Sequence, residues 1–124
     1  MENKNRVLVL DDEPIVCDRL CSMLEKTGLE VETFTDPAKA VKRLAETSFN
    51  VLITDLKMKE LDGIEILSIT QKVSPETKVI IITGFATVEK AKQALEMGAF
   101  DFIAKPFKLS QLRDLVIKAL NLNL

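Results

Sequence analysis

No histidine occurs among the 124 residues, and that one gap closes several routes of chemistry. Without imidazole the usual general base near neutral pH is gone, and with it every Ser–His or Cys–His nucleophile pair. Cysteine is scarce too. Cys17 and Cys21 stand four apart in a helical pattern, with no second pair and no histidine to complete a zinc set, so they are expected to be reduced packing residues. Neither charge dominates: 17 basic residues face 19 acidic ones for a net charge of −2, and the basic residues are scattered singly or in pairs. That balance leaves no electrostatic footprint for nucleic acid or an anionic membrane, and no direct nucleic-acid binding is expected. No apolar run approaches the roughly 20 residues that cross a bilayer. The polar start MENKNR leads into only four hydrophobic residues before the first acids, which is no signal peptide, so a cytoplasmic location without a membrane partner is expected. Glycine and proline, four of each, are too few for a disordered or fibrous composition. What remains is an ordinary globular chain, expected to be one domain over residues 1–124 without repeat or linker. Its chemistry has to run on carboxylates, hydroxyls and lysines.

Short apolar runs alternate with helical patterns. VLVL (7–10), VLIT (51–54) and VIIIT (79–83) are continuous, as in strands covered on both faces of a parallel sheet. LEVETF (29–34) alternates strictly and FDFIA (100–104) begins that way, which suits strands nearer the edges. Helices are expected over 13–26, closed by Gly28, and over 37–46, opened by Asp36-Pro37. Others are expected over 63–73 after Asp62, 88–97 between Thr87 and Gly98, and 109–120. Core stripes are expected through Val88, Ala91 and Leu95 on the fourth helix and through Leu109, Leu112, Val116, Ala119 and Leu120 on the last. Five βα units with right-handed crossovers predict an α/β, doubly wound parallel sheet in the order 2-1-3-4-5, with helices on both faces.

Ligands of such sheets bind beyond the carboxyl ends of the strands, where the strand order reverses, here between the first and third. The first strand ends on Asp11-Asp12 and the third on Asp55, so three carboxylates are expected in one crevice. Like charges about 4 Å apart at an effective dielectric near 20 repel by about 4 kcal/mol per pair, so the cluster calls for a cation. An oxygen-only donor set without His or Cys points to Mg2+. Thr83, at the end of the fourth strand, and Lys105, after the fifth, finish at the same edge, where a hydroxyl and an ammonium suit the oxygens of a phosphoryl group carried on one of the acids.

LDDE at 10–13, ITDLKM at 53–58 with LDG at 61–63, IITG at 81–84 and GAFDFIAKPF at 98–107, in this order, resemble the receiver domain of two-component response regulators, a flavodoxin-like (βα)5 fold, over essentially the whole chain. The resemblance implies that Asp55 accepts a phosphoryl group from a sensor histidine kinase or phosphotransfer protein. It implies that Asp12 and Asp55 bind Mg2+ directly, Asp11 largely through water, and the Lys57 backbone carbonyl as a further ligand. Thr83, Lys105 and the Gly84 amide would hold the phosphoryl oxygens, and the Lys105–Pro106 bond would be cis. Thr83 and Phe102 would switch together, altering the surface of the fifth strand and the last two helices. Such a protein turns over no small substrate, yet helps catalyse its own phosphorylation and dephosphorylation.

The chain departs from the family's habits at Lys59, where proline commonly follows the methionine of the acceptor loop, and at Phe102, where tyrosine is frequent. TGFATVEKAKQALEMGAFDFIAKPF further resembles receivers of AAA+ transcriptional activators that serve an alternative sigma factor, which implies an output domain; the alternative is a stand-alone receiver acting by protein contact. Lys90, Gln93, Arg113 and Ile117 fall outside or at the margin of the core stripes and are the expected readout positions, including for a phosphorylation-dependent dimer. Lys57 and Phe85, two residues after Asp55 and Thr83, are expected to obstruct the hydrolytic water. Two remote alternatives share parts of this pattern. A haloacid-dehalogenase-type phosphatase needs a second Asp where Lys57 stands, and a flavodoxin-like flavin module needs a phosphate loop that Asp11-Asp12-Glu13 would repel.

Overall fold

A computed structural model describes residues 5–121; the polar residues 1–4 and the last three, the two ends of the expected domain span, lie outside the described residues. Strands and helices alternate strictly: β1 (Arg6–Leu10), α1 (Pro14–Glu25), β2 (Glu30–Phe34), α2 (Pro37–Glu46), β3 (Val51–Asp55), α3 (Gly63–Val73), β4 (Lys78–Thr83), α4 (Val88–Glu96), β5 (Asp101–Ala104) and α5 (Leu109–Leu120). The sheet is parallel throughout and ordered β2-β1-β3-β4-β5, the expected doubly wound architecture. Every residue of β3 is buried, as are all but the first of β1 and β4, whereas the edge strands β2 and β5 are half-buried to exposed. No helix among the described residues is long and apolar enough to cross a membrane.

Side chains that alternate along the inner strands divide the core in two. Leu8, Leu10, Leu52 and Ile81 face α2, α3 and α4, where they meet Ala40, Leu44, Ile66, Leu67, Ala91 and Ala94. Val7, Val9, Ile53, Ile80 and Ile82 face α1 and α5, where they meet Cys17, Leu20, Leu24, Leu112, Val116 and Ala119. Two stripe residues fall elsewhere than expected. Leu95 is 38% exposed, because α4 rests on the sheet through the small side chains of Ala91 and Ala94, and the stripe is rotated by about one position. Leu109, 41% exposed, is the first residue of α5 and lines a surface groove with Ile15 and Met23 of α1.

Helix ends follow their local chemistry. Asp36 accepts the Ala38 amide at 3.0 Å, and Asp62 with Glu65 forms a reciprocal capping box at the start of α3. Gly28 and Gly98 close α1 and α4 with φ of 87° and 109°, a region that a side chain makes costly. Ahead of α4, Phe85–Thr87 forms a single 3-10 turn that the periodicity did not announce.

The end of β3 is closed off tightly. Gly63 donates its amide to the Leu56 carbonyl at 2.7 Å, and a Cβ there would lie 2.8 Å from Leu56 Cα and 3.0 Å from the Asp55 carbonyl oxygen, whereas a Cβ on Gly84 would meet nothing within 4 Å. Gly63→Ala is therefore expected to destabilise the protein by about 1–3 kcal/mol in urea unfolding, the scale of forced overpacking against backbone, while Gly84→Ala leaves the midpoint nearly unchanged. Equal midpoints for the two variants would contradict this packing.

Candidate functional site

The parallel register brings the strand ends to one edge. Leu10 pairs with Thr54, Asp55 with Ile82, and Thr83 with Ala104. The residues that follow β1 and β5, Asp11-Asp12 and Lys105, therefore stand beside Asp55 and Thr83. Lys105 is tied in by its amide, which donates to the Thr83 carbonyl at 2.8 Å, and the Lys105–Pro106 peptide bond is cis.

Asp11 is 1% exposed; its Oδ1 accepts the Glu13 amide at 2.9 Å, while its Oδ2 is buried with no partner. Burial is the main reason that its pKa is raised to about 6. The Glu13 amide opposes the shift, the charge of Asp55 adds to it, Lys105 opposes it, and Asp12 adds a smaller push. Asp55 is 6% exposed and held on both oxygens, with Oδ1 accepting the Lys57 amide at 3.0 Å and Oδ2 the Lys105 ammonium at 2.8 Å. For Lys105, partial burial works against the charge, but the hydrogen bond to Asp55 and the negative charges of Asp55, Asp11 and Glu13 outweigh it, and its pKa is raised. This ammonium stays charged across the physiological range.

Carboxylate oxygens of Asp11, Asp12 and Glu13 lie within 4.8 Å of one another. Glu13 was read as the start of a helix and as a third acid that repels phosphate, not as a metal donor, although its adjacency to the two aspartates was the available signal. An all-oxygen donor set with a buried, unpartnered carboxylate oxygen fits a small, hard divalent cation such as Mg2+.

Other candidates sit differently. The Thr83 hydroxyl is fully buried but is not turned to the carboxylates; it lies 2.7 Å from Thr87 Oγ1 and 3.1 Å from the Gly84 carbonyl oxygen, because the turn that follows β4 offers it closer partners. Thr87, expected only as a cap residue, makes no cap bond. Phe102 is half-buried against the α2, α3 and α4 side of the core. Phe85 is 93% exposed and the Lys57 side chain is exposed, so neither covers the Asp55 carboxylate against water as expected. Cys17 packs beneath the site, its thiol pointing to the Asp11 and Phe34 carbonyls at 3.4 and 3.6 Å; burial first, then the Asp11 charge, pushes its pKa up to about 11, as befits a packing thiol.

A family model described as the response regulator receiver domain matches residues 7–117. This chain belongs to that family. Membership separates it from the phosphatase and flavin-module alternatives and makes it part of a two-component system. Among its relatives are the response regulator protein PilR of Pseudomonas aeruginosa, 33% identical over 97% of this chain and 27% of that protein, and the regulatory protein AtoC of Escherichia coli, 36% identical over 95% of this chain and 26% of that protein. The chain thus spans about a quarter of the length of these relatives. A response regulator receiver domain protein from Clostridium thermocellum superposes with a TM-score of 0.90 at 34% identity, each chain covered over 94%.

The unpartnered Asp11 oxygen gives the receiver a measurable pH signature. A folded-state pKa of about 6 against an ordinary 3.8 means that the native state binds more protons than the unfolded chain between those values, so this group's contribution falls as pH rises through that window. In EDTA, Asp11→Asn is expected to be more stable than wild type by roughly 2–3 kcal/mol at pH 7, the gap closing toward pH 4. Urea unfolding from pH 4 to 7.5 measures it, and a gap that does not change with pH would contradict the buried charge.

Proposed function

We propose that this receiver is phosphorylated on Asp55 by a sensor histidine kinase or phosphotransfer protein, and that phosphorylation alters the surface of β5, α4 and α5 to control an output. The observation that supports it is the Asp55 carboxylate itself: buried at the central strand end, oriented by the Lys57 amide, countered by Lys105 and adjacent to Asp11. In the transfer an Asp55 oxygen forms the new P–O bond as the donor's P–N bond breaks, the nitrogen keeping the electron pair. Attack has to come in line, which the fixed carboxylate favours. Lys105 then passes from the carboxylate to the phosphoryl oxygens it creates, with Thr83 and the Gly84 amide as further partners. Asp11, Asp12, Asp55 and the Lys57 carbonyl would hold Mg2+, which when bound neutralises charge on the transferring group.

Lys90, Gln93 and Arg113 are exposed and Ile117 half-exposed on α4 and α5, which suits them to a partner surface, including that of a phosphorylation-dependent dimer. The coverage of the relatives supports residues 1–124 as the receiver part of a larger regulator, and the resemblance of residues 83–107 to receivers of AAA+ activators that serve an alternative sigma factor favours a cytoplasmic regulator of transcription. A stand-alone receiver is the other arrangement.

Acetyl phosphate with Mg2+ is expected to add one phosphoryl mass to the wild type and none to Asp55→Asn, read by intact mass. Modification that persists in the variant would place the nucleophile elsewhere.

A further inference from the structure

Two threonine hydroxyls at the end of β4 share one arrangement. Thr87 occupies the N-cap position of α4, where threonine ordinarily accepts a backbone amide of the first turn, yet it makes no such bond. Its Oγ1 lies instead 2.7 Å from Thr83 Oγ1 and 3.3 Å from the Gly84 carbonyl oxygen, to which Thr83 Oγ1 also approaches at 3.1 Å. Each hydroxyl carries one proton. One proton joins the two oxygens and the other goes to Gly84, in either order, so both are used. Thr83 is fully buried. A hydroxyl there is costly to leave unpaired, and its rotamer follows whichever partner is better.

We propose that Thr87 is a positioning residue that holds the Thr83 hydroxyl away from Asp55, and that its release couples Thr83 to the first turn of α4. The release half rests on the reading of Asp55 as phosphoacceptor. A phosphoryl oxygen is a charged acceptor and outcompetes a neutral hydroxyl for the Thr83 proton. Once Thr83 has turned, Thr87 keeps its proton on Gly84 and its lone pairs become available to the amides at the start of α4. Thr87 is then free to move with the first turn of α4, and the hydroxyl pair that is broken is what release costs. The same side chain thereby connects the chemistry at β4 to the helix on the readout face.

Thr87→Val keeps the shape and removes the hydroxyl, and Thr87→Ser keeps the hydroxyl. In the unphosphorylated protein, methyl carbon couplings are expected to give a single Thr83 χ1 rotamer for wild type and Thr87→Ser and a mixture for Thr87→Val. Beryllofluoride with Mg2+, a phosphoryl mimic, is expected to bind Thr87→Val roughly 2–10-fold more tightly than wild type, the size of one lost hydrogen bond in the off state. Thr87→Ser should bind like wild type. In a Thr83→Ala background the Val substitution should change nothing, since the two positions act through one contact. An unchanged Thr83 rotamer in Thr87→Val would overturn the latch itself. Tightening that persists without the Thr83 hydroxyl would overturn the coupling. A wild type that binds no mimic would overturn the acceptor reading, and with it the release half of the proposal alone.

Discussion

The structure depends on a conflict held in place: carboxylates packed at the ends of central strands, where burial strips their water and their neighbours repel them. Asp55 escapes by accepting the Lys57 amide and the Lys105 ammonium, one on each oxygen. Asp11 does not escape, and its Oδ2 has no partner. A sheet with polar ends elsewhere would be more stable without it, since a buried charge left unpaired costs several kcal/mol. The conflict has chemical use because anything that relieves it, a cation or a rearranged lysine, is bound with the energy the fold was holding back.

Lys105 is the hinge of that arrangement. It reaches Asp55 from β5, and its backbone amide is tied to the Thr83 carbonyl on β4. A change of charge on Asp55 is therefore felt on both strands that lead to α4 and α5. Receiver family membership says that such a site belongs to a signalling domain, and the packing indicates where movement is easiest. Both core faces are filled from the inner strands, whereas β5 is half-buried along its whole length and α4 leans on two alanines. Small side chains at a helix–sheet contact leave less burial to lose when the helix shifts.

Much of this was legible in the residues. Continuous apolar runs marked β1, β3 and β4 as inner strands, and their boundaries agree to within one residue because a strand buried on both faces carries no charged residue between its ends. That the acids, Thr83 and Lys105 stand at one edge of the sheet was legible because the strand ends of a parallel sheet share it. Contact detail was not. Periodicity placed Leu95 in the core of α4, but Ala91 and Ala94 pack closer and turn the helix by about one position. The 3-10 turn at Phe85–Thr87 leaves no period to detect, and it decides where the Thr83 hydroxyl goes. Glu13 read as a helix start and as an acid that repels phosphate, while its place among possible metal donors, where its carboxylate reaches the two aspartates, went unread.

If relief of carboxylate repulsion is the central constraint, a hard divalent cation should stabilise the unphosphorylated protein through the acids alone. Thermal unfolding in EDTA and in millimolar Mg2+ tests this directly. Linkage raises the stability by RT ln(1 + [Mg2+]/Kd), and a gain of about 1–2 kcal/mol moves the midpoint of a domain this size by several degrees. That rise is expected for wild type, and its loss in Asp12→Ala. Superimposable wild-type curves with and without Mg2+ would contradict it.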